Sequence, residues 1–183
     1  MSKISWKDDY YRSNDDEKFV LLHFLRDYVF HHRLRYIIYF RKAQNAKFKL
    51  SKLYFAYKLH IYQKKYGIEI KPSTKIGKGF MMTHAYNITV SPFATIGENV
   101  TMMKGSTIGL SGGKRRGAPT IGNCVYIGIN STIVGNVTIG NDVLIAPNTF
   151  VNQDIPDHSI VIGNPCVIIP KENATAEYIW KKV

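Results

Sequence analysis

From Ile121 to Val151 an aliphatic residue returns at every sixth position: Ile121, Ile127, Ile133, Ile139, Ile145 and Val151. A period of six belongs neither to a helix nor to ordinary strand alternation. Gly, Asn, Asp and Thr stand between the anchors, as in Ile121-Gly-Asn-Cys-Val-Tyr and Ile139-Gly-Asn-Asp-Val-Leu. A small or β-branched residue follows four positions after each anchor, at Val125, Ser131, Val137, Val143 and Thr149. Extended backwards, the frame runs through Ile108, Met102 and Ile96, then Ile88, Met82, Ile76 and Ile70. It is interrupted twice, by two extra residues between Ile88 and Ile96 and by a loop from Leu110 to Thr120. Such a repeat is the signature of a parallel β-helix, in which each hexad supplies a short strand and a turn and stacked coils bury the anchors in one column. With three hexads to a triangular coil, the thirteen anchors predict a mainly β domain of about four coils. No coil can bury its own face, so the domain is stable only as a stack.

Upstream of residue 67 the pattern is helical. Residues 1–13 are polar and read as loosely held. Asn14-Asp-Asp-Glu17 resembles a capping box, which predicts a helix over about 15–30 that continues or restarts through 31–40. A further helix over about 47–65 carries Leu50, Leu53, Tyr54, Tyr57 and Ile61 on one face, and Gly67 ends it. The chain thus divides into an N-terminal α-helical segment (1–66), a β-helix (67–169) and a C-terminal tail (170–183).

The net charge of +12 falls unevenly on these parts. Residues 1–66 hold 15 Lys and Arg against 6 Asp and Glu, and no acid occurs between Asp27 and Glu69. That interval is also rich in aromatics. Its bland role is packing of the aromatic stripe on the first coil or a neighbouring subunit, with the lysines solvated. Its sharper role is contact with an anionic membrane surface or an acidic, lipid-linked substrate. No nucleic-acid recognition motif accompanies the basic residues. Two cysteines, Cys124 and Cys166, are too few for a disulfide scaffold and read as buried and reduced. No apolar run approaches the ~18 residues of a membrane span and no signal-peptide core is present, so the protein is expected in the cytoplasm, with the inner membrane face open to the basic helices.

Ionisable groups are sparse in the repeat. Of six histidines only His84 and His158 lie there, fewer than the three imidazoles of a γ carbonic anhydrase-type zinc site, so no metal is expected. His158 follows Ile155-Pro-Asp and suits an exit turn. His84 falls two positions after the anchor Met82, inside a coil.

The blocks Lys75-Ile-Gly-Lys-Gly-Phe-Met-Met-Thr-His84, Ala94-Thr-Ile-Gly-Glu-Asn-Val-Thr, Ser106-Thr-Ile-Gly-Leu-Ser-Gly112 and Pro119-Thr-Ile-Gly-Asn-Cys-Val-Tyr-Ile-Gly128 stand in a fixed order, closed by Asp154-Ile-Pro-Asp-His-Ser-Ile-Val-Ile-Gly-Asn-Pro165. In order and spacing they resemble the hexapeptide-repeat acyltransferases, specifically the serine acetyltransferase branch, over about residues 66–169. The resemblance implies a left-handed β-helix, a homotrimer with active sites between subunits, and acetyl-CoA as co-substrate. It implies that His84 is the general base, that the backbone N–H groups of Gly109 and Leu110 hold the oxyanion, and that Ser111, Gly112 and Gly113 line the pantetheine. Ile129, Asn130, Ala146 and Pro147 match the corner positions along its arm. Lys114, Arg115, Arg116 and Lys171 are candidates for the nucleotide phosphates by charge complementarity.

The departures bear on the acceptor. Where serine acetyltransferases place Asp before this histidine the chain has Thr83, and where they have Arg-His-Pro it reads Arg116-Gly-Ala-Pro119. Their helical region is also about twice as long as this one. Compact relatives with basic helices resemble the O-acetyltransferases of capsular and exopolysaccharide assembly, so the leading expectation is a sugar or glycan hydroxyl as acceptor. Thr83, Tyr86 and Asn87 then face the acceptor, and Tyr86, Asn87, a backbone carbonyl or a neighbouring subunit orients the imidazole. Serine acetylation in cysteine biosynthesis and a non-catalytic trimeric scaffold are the alternatives.

Overall fold

The computed structural model of the chain describes residues 4–14 and 20–183. Four helices precede the repeat: α1 (Trp6–Ser13), α2 (Leu21–Phe30), α3 (His32–Asn45) and α4 (Lys49–Tyr66). Residues 1–13 were expected to be loose, yet α1 is a capped helix whose Asp9 and Arg12 are buried. Asn14 closes α1, and the remainder of the expected capping box lies outside the described residues. No helix among the described residues is long and apolar enough to cross a membrane.

The repeat winds five coils, one more than the anchor count implied. The first holds β1 (Glu69–Ile70), β2 (Lys75–Ile76) and β3 (Met81–Thr83). The second holds β4 (Thr89–Val90), β5 (Thr95–Ile96) and β6 (Thr101–Met103). The third holds β7 (Thr107–Gly109), β8 (Thr120–Ile121) and β9 (Val125–Ile127). The fourth holds β10 (Thr132–Val134), β11 (Thr138–Ile139) and β12 (Val143–Ile145), and the fifth holds β13 (Phe150–Val151) and β14 (Ser159–Ile162). Equivalent strands pair in parallel to give three faces: β1-β4-β7-β10-β13, β2-β5-β8-β11, and β3-β6-β9-β12-β14. β15 (Val167–Pro170) turns back antiparallel on β14 and covers that edge. The fifth coil escaped the count because its second face is a single bridge, Ile155 to Ile139, four residues after Val151 instead of six.

The anchors form the interior. Met82, Met102, Ile127, Ile145 and Val161 stack on one face and are buried, as are Ile76, Ile96, Ile121, Ile139 and Ile155 on another. Each such side chain is worth about 1.5–3 kcal/mol by burial. The residues two before each anchor, among them Val125, Ser131, Val137, Val143 and Thr149, form a second buried column at the corners. This second column explains a misplacement. The register pairs Ile70 with Val90 and Val90 with Ile108, so Val90, not Ile88, is the anchor. Ile88 belongs to the corner column and is aliphatic too, which satisfied the six-residue frame in the wrong column. The two extra residues therefore lie before Ile88. Since Thr83 pairs with Met103 and Thr89 with Thr107, they fall in the corner after Thr83, which is where His84 stands.

The helices plug the open first coil by satisfying its carbonyls. Arg41 donates to Ile76 O (2.8 Å) and Gly77 O (2.5 Å), Gln44 to Thr74 O (2.9 Å), Tyr36 to Ile70 O (2.9 Å), and Arg12 to Gly79 O (2.5 Å) and, in the second coil, to Val100 O (2.9 Å). Arg41 is itself gripped by Asp9 through Nε–Oδ2 (2.8 Å) and Nη2–Oδ1 (3.1 Å), with both side chains 1% exposed. Burial pushes the Asp9 carboxyl above its ordinary value against the pull of Arg41, and burial draws the Arg12 guanidinium down to about 10.

Helix α4 overturns one packing expectation. Phe55, Leu59, Tyr62 and Tyr66 face inward, whereas Leu50 (82% exposed), Leu53, Tyr54, Tyr57 and Ile61 face out. The helix is apolar on two opposite sides, so periodicity could not tell which stripe packs on the coil.

Candidate active site

The corner between the third face and the first carries His84. At every level this corner turns on one left-handed residue: Gly67, Asn87, Gly105, Asn130 and Asn148. The inserted His84-Ala85 adds a second such residue, His84 itself at φ 50°, while the buried Ala85 folds inward and the imidazole is turned out of the prism. A non-glycine residue in that conformation costs on the order of 1 kcal/mol and persists only where its surroundings hold it. Four hydrogen bonds do so: Tyr86 N to His84 O (2.7 Å), Asn87 N to Tyr66 O (2.9 Å), Gly105 N to Tyr86 O (2.9 Å), and His32 Nε2 with Ala85 O (2.8 Å). Among the described residues no group of this chain hydrogen-bonds the His84 ring, so neither Tyr86 nor Asn87 orients it within one protomer.

The levels above His84 on this corner hold other expected residues. Asn130 N donates to Lys104 O (3.1 Å) and Asn148 N to Ile129 O (2.8 Å), so Ile129, Asn130, Ala146 and Pro147 continue the column that begins at His84. Pro147 and Asn130 are exposed, Ile129 and Ala146 half-buried. Thr83 ends β3 half-buried, and Tyr86 and Asn87 are exposed beside His84.

The loop after β7 occupies a different corner, between the first and second faces. Ser111 and Gly117 exchange backbone hydrogen bonds (2.9 and 3.0 Å), Gly113 N donates to Ser111 Oγ (3.2 Å), and Asn136 N donates to Arg115 O (3.0 Å). The loop is thus a folded hairpin that presents Gly112, Gly113, Lys114 and Arg116 to solvent. Arg115 is tied to Asp154 (3.1 Å) and is the least available of the expected phosphate ligands. Leu110 is exposed, and among the described residues its N–H donates to no protein atom, unlike the backbone of the strand before it. Lys171 stands apart on the third corner, its N–H bonded to His158 O (2.7 Å).

His158 is a turn residue, as expected, though it opens the last parallel strand instead of leaving the stack. Its Nδ1 meets Asp142 (2.9 Å) and Glu172 (3.3 Å), and Asp142 also accepts from Ala174 N and Thr175 N (3.0 Å each). The hydrogen bond to Asp142 raises the His158 pKa. Burial pushes Asp142 up, but its bonds to Thr175, His158 and Ala174 outweigh that and lower it. This cluster, which lines a cleft of about 280 Å³ with Asn123 and Cys124, docks the tail onto the prism. Cys124 and Cys166 are free but half-buried, not buried, because both sit in corners or exit turns. No three His, Cys, Asp or Glu side chains gather as metal ligands among the described residues.

Sequence reasoning missed His32 and Tyr66. Their rings stack at 4.1 Å and 9°, and Tyr86 leans on them at 4.8 and 5.7 Å. Nothing in spacing joins His32 to a corner more than fifty residues on.

Known proteins share this architecture. Residues 118–153 match the family described as bacterial transferase hexapeptide (six repeats). The chain is 40% identical over 109 residues to a serine acetyltransferase of Staphylococcus epidermidis, covering 58% of this chain and 50% of that protein. It is 38% identical over 107 residues to serine acetyltransferase 4 of Arabidopsis thaliana, covering 57% and 30%. The chain therefore spans half or less of these relatives. Among solved structures, serine acetyltransferase from Brucella abortus superposes with a TM-score of 0.74 at 25% identity, over 93% of this chain and 69% of that one. The Neisseria gonorrhoeae enzyme gives 0.71 at 26%, over 91% and 65%. The segment that matches the family runs from the end of the loop after β7 to just beyond β13, within the β-helix.

Proposed function

We propose that the protein is an O-acetyltransferase that moves acetyl from acetyl-CoA to a hydroxyl acceptor, with His84 as general base and the site completed at a seam between protomers of a homotrimer. The observation that carries this is the inserted corner, in which a strained backbone turns an imidazole out of the prism, one level below the exposed Lys104. His84 and the Leu110 loop lie on different corners of one prism, so a site that uses both draws them from neighbouring subunits.

In this reading the His84 imidazole takes the proton of the acceptor hydroxyl as its oxygen attacks the thioester carbonyl carbon. The Leu110 N–H is suited to the oxyanion, and a donor of that kind is typically worth about 3 kcal/mol. As the C–S bond breaks, the imidazolium returns the proton to the departing thiolate. No acyl-enzyme is formed. Gly112 and Gly113 offer bare backbone to a pantetheine arm, and Lys114 and Arg116 the positive charge that phosphates require.

For the acceptor, the relatives favour serine over the sugar that led on sequence grounds, since those reported above are serine acetyltransferases. The sugar reading keeps one observation: Thr83 stands where the resemblance places an Asp, and Arg116-Gly-Ala-Pro119 where it places Arg-His-Pro, so the corner has no carboxylate to meet an amino acid's ammonium. Incubation with acetyl-CoA and either L-serine or a panel of nucleotide sugars, followed by thiol release, decides between them. Release with neither, together with no rise in melting temperature at saturating acetyl-CoA, refutes the enzyme and favours a scaffold.

A further inference from the structure

The helical segment does more than plug the prism. His32, the first residue of α3, lies with its ring flat against Tyr66, the last residue of α4, and its Nε2 is 2.8 Å from Ala85 O. A carbonyl can only accept, so Nε2 carries the proton and Nδ1 the lone pair. Ala85 is the second of the two inserted residues and adjoins His84. Of the hydrogen bonds that fix the corner among the described residues, three are backbone to backbone, and the one from His32 is made by a side chain. Tyr66 serves twice, as the face on which His32 stacks and through its carbonyl, which accepts from Asn87 N (2.9 Å). Burial, the largest influence on His32, holds its pKa down, which fits a neutral ring with this tautomer.

Resting on the assignment of His84 as base, we infer that His32 is a positioning residue for catalysis: its Nε2–H pins the Ala85 carbonyl and thereby sets the strained corner from which the His84 imidazole projects. The corner lies in the first coil, so no coil beneath it supplies a ladder partner, and the helices take that role. A displacement of about 1 Å in a catalytic group can cost 10²-fold in rate. The loss of one donor here is therefore expected in turnover, not in coenzyme affinity.

The test separates the donor from the stacked ring. His32→Phe keeps a flat face on Tyr66 and removes the donor, while His32→Gln keeps a donor and gives up the aromatic face. Thiol release from acetyl-CoA with L-serine or the active sugar, and amide hydrogen exchange on the full chain, are read in parallel. His32→Phe is expected to lower kcat by about 10 to 100-fold with KM for acetyl-CoA unchanged. It should speed exchange at Tyr86, Asn87 and Gly105 while Gly128 and Gly140, higher in the stack, keep wild-type protection. His32→Gln is expected to restore most of both. Wild-type kcat and exchange in His32→Phe, or an equal loss in His32→Gln, overturns the inference. If Phe does not fold at this position, His32→Leu serves the same arm. Exchange reports on the corner whether or not the chain transfers acetyl, so a wild-type protein that releases no thiol counts against the proposed function alone.

Discussion

Replacing Asp9 by Ala is expected to separate the helical segment energetically from the β-helix. The substitution deletes a carboxylate that meets Arg41 through two bonds of 2.8 and 3.1 Å and accepts from Phe80 N at 2.8 Å. It leaves a guanidinium 1% exposed with no counter-charge and an amide without an acceptor. Breaking a buried pair from one side typically costs about 3–5 kcal/mol, and an orphaned buried donor about 1–3. Arg41 keeps its bonds to Ile76 O, Gly77 O and Gln44, which softens the first figure. A total of about 3–5 kcal/mol therefore follows, or a fall in Tm of roughly 6–20 °C for a chain of this size. Urea unfolding followed by tryptophan fluorescence is a suitable assay, since Trp6 lies on α1 beside the site and packs on Phe24 at 5.3 Å. Removing both partners should not rescue stability as it does for many buried pairs, because the carbonyls of Ile76 and Gly77 would then lose their donor. A loss below about 1 kcal/mol in Asp9→Ala, or full recovery in Asp9→Leu/Arg41→Met, would show that these bonds do not hold the cap in place.

His84→Ala is expected to lower turnover by about 10² to 10⁴ while leaving acetyl-CoA affinity and oligomeric state intact; unchanged turnover removes His84 from the chemistry. The junction of the tail with the prism should depend on pH in two directions. His158 has a raised pKa, so its contribution is complete below about 6.5 and is lost as pH rises through the elevated value. Asp142 has a lowered one, so its contribution holds above 3.8 and is lost as pH falls below that. Protection of the Ala174 and Thr175 amides, taken relative to the base-catalysed exchange of an unfolded chain, should therefore be greatest in mildly acidic solution, and a flat protection profile from pH 5 to 9 would contradict this. Finally, the outer stripe of α4, apolar and flanked by Lys58, Lys64 and Lys65, is expected to bind vesicles containing anionic lipid in a salt-sensitive way that Leu50→Asp/Leu53→Asp abolishes. Co-sedimentation equal with neutral vesicles, or a change of oligomeric state in the variant, would assign the stripe elsewhere.

Much of the architecture was legible because a β-helix writes its geometry into sequence with a fixed period, and both interruptions of the frame proved real. Their exact assignment was not legible, since Ile88 and Val90 are both buried aliphatics two residues apart and only strand register distinguishes the columns they occupy. Of the candidate site, the sequence offered His84 as one of two histidines inside the repeat, and the loop residues through the order and spacing of the resemblance. The support from His32 and Tyr66 was hidden, because two helix termini met the corner through tertiary packing that no local pattern encodes. The role of α1 was missed for a similar reason: Asp9 and Arg12 look like surface charges until the open end of a coil supplies them with carbonyl, amide and hydroxyl partners.

Linear repeat arrays usually lose their outermost units first, since each unit leans only on its neighbour. Here residues 171–183 run back along the outside of the prism: Thr175 meets Asp142, Tyr178 lies against Tyr126 at 4.7 Å, and Val183 exchanges bonds with Asn99. Arg12 Nε reaches Lys181 O at 3.2 Å, across 169 positions of sequence. The strap thereby lashes the last turns to the first and to the opening helix, so that fraying at one extremity must also strain the other. Such contacts carry a large loop-closure cost and should form late in folding, after the turns have stacked. Once fastened, they convert a chain of semi-independent rungs into a single cooperative body.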